Sequence, residues 1–203
     1  MAVSLAPALT RNEKFGTVRA VEPFLLPRFF ERATRQVFGD LALDDPPAAR
    51  YVTDLLTRFA RTDALYRVAE LPGQRLETVV DALRAVERAW DVGSPDFAPE
   101  REQTLRRHIG DFTLFMTGIF RDHVQRLTLV SYYEDQGRRA YRFVAETARA
   151  EGRPEAPLFR RLSERFEHYS GALSYMRKVY FRDEPSLWPR APDDGLLRRL
   201  TSL

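Results

Sequence analysis

The chain has 203 residues, 44% hydrophobic and 30% charged, which is enough for one domain with a sizeable core and excludes both intrinsic disorder and an integral membrane protein. It contains no cysteine, which rules out disulfides, thiolate metal sites and cysteine nucleophiles and fits a cytoplasmic protein. Its 32 Lys and Arg against 29 Asp and Glu give a net charge of only +3, so the sequence pI of about 9.4 follows from bases that are nearly all arginine, Lys14 and Lys178 being the lysines. Residues 1–20 lack a sustained apolar period and read as an N-terminal arm. Met1 to Thr10 has no basic segment before it and is a poor signal peptide. A first helix is expected over about 22–38, entered through Pro23 and Pro27 and stopped by Gly39. A second starts after Asp44–Asp45 at Pro46–Pro47, with Val52, Leu55, Leu56 and Phe59 as its stripe. Arg61 to Leu71 reads as a short or broken helix. After Pro72–Gly73 a third runs to about Trp90 on Leu76, Val79, Val80, Leu83 and Val86.

Past Gly93-Ser94-Pro95 the fourth helix, about 100–127, is the most apolar. Leu105, His108, Phe112, Phe115 and Ile119 form a seam that Ile109, Met116 and Phe120 widen, the pattern of a helix in the middle of a bundle. Its longest uncharged run, Phe112 to Phe120, is far shorter than the roughly 20 residues that span a bilayer. Ser131 and Glu134 have the spacing of a capping box opening a fifth helix over about 132–150, which Gly152 and Pro154 end. The sixth, about 156–181, carries Phe159, Leu162, Phe166, Tyr169, Leu173, Met176 and Tyr180 at alternating spacings of three and four. That seam reads either as core or as the interface of a homodimer. Pro185, Pro189 and Pro192 make residues 183–203 an extended tail, with one last turn at Leu196 to Leu200. The expected architecture is all-α: a single bundle of about six helices over residues 21–182, between two tails. Gly118 and Gly137 interrupt helices four and five and point to a close crossing between them.

The run Gly110 to Phe120, followed by Tyr132–Tyr133 and Gly137-Arg138-Arg139-Ala140-Tyr141, resembles a group of uncharacterised all-helical bacterial proteins over about residues 45–180. The resemblance implies a soluble bacterial helical protein and brings no functional residues with it.

Motifs that carry chemistry are absent. The sequence contains no Glu-x-x-His pair, H-E-x-x-H, G-x-S-x-G, P-loop or G-x-G-x-x-G. Three scattered histidines and no cysteine make a metal site or a cofactor unexpected. His108 is the one polar residue in its seam, and Asp111 lies about 60° around the same helix. Tyr133 and Tyr141 on the fifth helix can reach them if the two helices cross, so His108, Asp111, Tyr133 and Tyr141 form the candidate ligand-binding set. Burial disfavours a charged His108 and a neighbouring carboxylate favours it, so the sign of its shift stays open. The arginine pairs Arg106–Arg107, Arg138–Arg139, Arg160–Arg161 and Arg198–Arg199 resemble a basic patch. However, Glu134–Arg138, Asp135–Arg139, Arg160–Glu164, Arg50–Asp54 and Asp54–Arg58 are at i,i+4 spacing and read as balanced faces, against nucleic-acid binding. The expected function is a non-enzymatic interaction or scaffolding protein, with a protein partner or a second copy through the 156–181 helix. The alternatives are a small-ligand protein or enzyme built on His108 and Asp111, and a nucleic-acid binder.

Overall fold

The path from sequence to tertiary structure is clearest at Asp45. In the computed structural model, which describes residues 26–60 and 79–180, Asp45 caps helix α2 (Pro46–Phe59) by accepting a hydrogen bond from the Ala48 N–H at 3.1 Å. Pro46 and Pro47 occupy the first turn, where a missing N–H is harmless. The preceding helix, α1 (Leu26–Asp40), runs through Gly39 instead of stopping there. It ends at Asp40, and the chain turns left-handed at Ala42, whose φ is 51°, while Leu43 N–H closes onto the Phe38 carbonyl at 2.8 Å. The arm, the 61–78 segment including Leu76, and the tail lie outside the described residues.

Six further helices follow: α3 (Val79–Trp90), α4 (Glu102–Ile119) behind a short 3₁₀ turn at Pro99–Arg101, α5 (Arg121–Arg126), α6 (Val130–Ala150), α7 (Ala156–Glu164) and α8 (Phe166–Tyr180). The described residues contain no strand, so the all-α class holds, with eight α-helices among them. α4 is the axis of the bundle, with Leu105 and every residue from His108 to Ile119 buried, and α3, α6 and α8 pack on it. The broad apolar front of this segment anticipated that position.

Two of the expected helices are each divided. The fourth bends at Phe120 (φ −105°, ψ 27°), which starts α5. The sixth bends at Arg165 (φ −117°, ψ 29°). The reason for the second bend is packing: α7 lies mainly on α6, whereas α8 lies on α4 and α1. One straight rod cannot cover both surfaces. The seam itself is core, with Phe159, Leu162, Phe166, Tyr169, Leu173 and Met176 all buried within the chain and Tyr180 at its edge. Its apolar side therefore faces inward.

α6 begins at Val130, one residue before Ser131, and no side chain caps it; Glu134 instead pairs with Arg121 at 3.3 Å. Gly152, at φ 67°, ends it as expected, with Arg153 N–H on the Ala148 carbonyl at 2.8 Å. The glycine crossing is real at Gly137, where a Cβ would meet the Thr113 hydroxyl of α4 at 2.5 Å as well as the Phe166 ring. Gly118 serves a different contact. A Cβ there would strike the Leu173 side chain, so it admits α8 and not α6.

Candidate functional site

Asp111 sits one turn past His108 on the central helix with 1% of its surface exposed. A buried carboxylate needs donors, and four elements supply or support them. The Tyr51 hydroxyl of α2 donates to Oδ1 at 2.5 Å and the Tyr141 hydroxyl of α6 to the same oxygen at 2.9 Å. Arg58 of α2 donates from Nη2 to Oδ2 at 2.7 Å. Arg107 of α4 donates from Nε to the Tyr51 oxygen at 3.2 Å and lies over the rings of Tyr51 and of Phe159 on α7. Burial, then the Asp111 charge, pushes the Tyr51 and Tyr141 hydroxyls well above the ordinary tyrosine range, so both remain donors. The carboxylate is thus held in a protein-built cage that ties α2, α4 and α6 together.

Access for Tyr141 depends on Gly110. A Cβ at Gly110 would lie 2.6 Å from the Tyr141 ring. Gly110→Ala should therefore lower stability by about 1–3 kcal/mol although alanine favours helix. A thermal melt checks it, and a variant melting at or above the parent would show that the ring has room to move.

His108 and Tyr133 do not join this cage. His108 is buried with its ring 6.3 Å from the Phe59 ring and 6.3 Å from the Phe112 ring. Burial lowers its pKa to about 4, the Asp111 charge opposing and Arg58 assisting, so desolvation decides the sign that sequence left open. Tyr133 packs on Phe112 at 6.4 Å between ring centroids, and burial raises its hydroxyl to about 12. Of the four sequence candidates, the structure brings Asp111 and Tyr141 into hydrogen-bonding contact.

Sequence reasoning missed Tyr51, Arg58 and Arg107. It also missed a second buried carboxylate of the same design. Asp45 accepts Arg161 Nε at 2.8 Å and Nη2 at 3.3 Å, and the Tyr169 hydroxyl at 2.7 Å. Burial works to raise its pKa, but the bonds from Arg161, Tyr169 and the Ala48 N–H outweigh it and hold the carboxylate below its ordinary range. A trace of this was in the sequence: an N-cap Asp before two prolines, and a tyrosine inside an otherwise apolar seam.

The arginine faces are rearranged relative to helical spacing. Arg160–Glu164 forms at 2.8 Å. Arg138 instead takes Asp135 and Glu167. Arg58 turns inward to Asp111, and neither Arg50–Asp54 nor Asp54–Arg58 pairs among the described residues. No group of three or more metal-binding side chains comes together among the described residues, and no helix there is long and apolar enough to cross a membrane.

A further feature of the surface is the segment between α3 and the 3₁₀ turn. Trp90 is 57% exposed, Val92 83% and Phe97 47%. The loop is nonetheless tightly tied. Ala98 N–H reaches the Ala89 carbonyl at 2.9 Å, Ser94 N–H reaches the Asp91 carbonyl at 2.9 Å, Asp96 N–H reaches Ser94 Oγ at 3.1 Å, and Arg88 pairs with Asp96 at 3.2 Å. The Trp90 indole N–H is fixed on Glu102 Oε2 at 2.8 Å. The chain as a whole matches no family model, no curated protein and no solved structure.

Proposed function

We propose that the chain is a non-enzymatic interaction protein whose contact element is the loop from Trp90 to Ala98. The observation that carries this reading is the loop's combination of exposed apolar side chains and internal hydrogen bonds. Isolated exposed hydrophobes are ordinary. Three within eight residues, on a loop closed like a small Ω-loop, put exposed apolar side chains on one preformed element. An aromatic whose orientation is already fixed loses little freedom on binding, and tryptophan is enriched among the residues that anchor protein interfaces. Asp91 and Glu100 are exposed in and next to this loop, which favours a protein partner with an apolar pocket and basic rim over an anionic surface. The cages around Asp111 and Asp45 support the same reading, because their oxygens are occupied by the protein's own donors.

The test is partner capture by cross-linking in the host, parent against Trp90→Ala/Phe97→Ala. The double variant should stay folded but melt somewhat below the parent, because Trp90→Ala takes the indole N–H from the buried Glu102 carboxylate. It should lose its specific partners at least about tenfold, as expected for an anchor pair. Capture of an unchanged partner set by a folded variant would remove the loop from the interface. Light scattering on both proteins separates a second copy from a different partner.

A further inference from the structure

A groove of about 850 Å³ runs between α1 and α2. Its wall follows α1 from Pro27 to Gly39, about 18 Å at the rise of an α-helix. Phe38, Leu43 and Ala49 give it an apolar floor. Thr34, 1% exposed, lines it with a hydroxyl that has no hydrogen-bond partner. An apolar channel of that length is suited to an amphipathic helix laid along it.

The chain itself carries such a segment. At the end of α8 the Tyr180 hydroxyl donates to Asp40 Oδ2 at 2.5 Å, and Tyr175 to the same oxygen at 3.3 Å. Asp40 adjoins Gly39 in the groove wall. The 23 residues from 181 to 203, which lie outside the described ones, therefore start beside the mouth of the groove. In their sequence Leu196, Leu200 and Leu203 share one face at helical spacing, with Arg198 and Arg199 beside them. The rim of the groove carries Asp44 and Asp54, and also Arg50 and a Glu31 that is paired with Arg35 at 2.6 Å. Asp44 and Asp54 make no ion pair among the described residues, so these two carboxylates are open to the arginines of a basic segment.

We propose that residues 196–203 dock in the α1–α2 groove of their own chain, with the leucines on its apolar floor and the two arginines at the unpaired Asp44 and Asp54 of its rim. This goes beyond the interaction reading and does not depend on the Trp90 loop. The tail would cover the apolar channel flanking the Asp45 cap.

The absence of cysteine makes the test clean, since any disulfide is the designed one. In the full chain, Ala49→Cys with Thr201→Cys is compared with Glu146→Cys and Thr201→Cys, Glu146 being exposed on α6 away from the groove. Under mild oxidation the first pair should close within the monomer at least about tenfold faster, because docking raises the local concentration of the tail thiol. Adding Leu196→Glu and Leu200→Glu should slow it to the control rate. Equal rates for the two pairs, or covalent dimers in place of closed monomers, would overturn the proposal. Arg50→Cys, on an exposed rim position, replaces Ala49→Cys if that variant melts early.

Discussion

Asp111→Ala should lower the stability of the folded chain by about 3–5 kcal/mol, the usual consequence of removing one partner from a buried charge network. The side chain that disappears is small; the groups left behind are the expensive part. Arg58 would lose its carboxylate, and the Tyr51 and Tyr141 hydroxyls would be buried without an acceptor. Arg58 is itself partly open to solvent, its side chain 44% exposed, so water relieves some of its share and the tyrosines carry most of the loss. Asp111→Asn keeps an acceptor for the hydroxyls and gives up the charge, so it should lose less, about 2 kcal/mol. Urea unfolding of the three proteins measures both. Should the alanine variant prove as stable as the parent, the cage is not structural. Asp111 would then be better read as a site residue kept at a cost to stability.

A second large effect should appear with pH. The His108 imidazole titrates near 6.5 in the unfolded chain and at about 4 in the folded one. Between these values the unfolded state binds the extra proton, so stability rises with pH across that window. It is full above about pH 6.5 and falls as the solution is acidified, with about 3 kcal/mol gone by the time the pH passes below 4. The cause is burial between Phe59 and Phe112, which the Asp111 charge offsets only in part. Asp45, held below its ordinary value of 3.8, loses its stabilisation only at lower pH and does not confuse the window. His108→Phe should flatten the dependence between pH 6.5 and 4, whatever it does to the absolute stability. A variant that keeps the parent's slope there would assign the effect to another group.

Both effects turn on residues whose positions were partly legible beforehand. His108 stood out because a polar side chain broke an apolar seam, and Asp111 because the helical angle placed it nearby. The periodicity of apolar residues sufficed for the all-α class and for the central place of α4, whereas the choice between core and interface for the 159–176 seam fell to the structure, which buries it within the chain. Local chemistry sufficed for the Asp45 start of α2 and the Gly152 stop of α6. The legible features depend on interactions within a few residues or on the total apolar area a helix must bury, which one-dimensional spacing records.

Partner choice across the bundle was decided only in three dimensions. Spacing assigned Arg58 to Asp54, yet Asp111 takes it, because a carboxylate in the core gains more from a cation than a solvated one does. Spacing paired Glu134 with Ser131 and with Arg138, and the fold gave it to Arg121. It aimed Gly118 at α6, and the fold set α8 against it. The bend at Arg165 has the same origin, since a helix whose halves must cover different neighbours breaks where neither helical phase nor propensity requires it. Sequence by itself therefore determined the helices and their buried faces. Which buried face meets which, and so the cages around Asp111 and Asp45, the aromatic loop at Trp90 and the groove beside α1, depended on contacts between residues far apart in the chain, where no local period carries information.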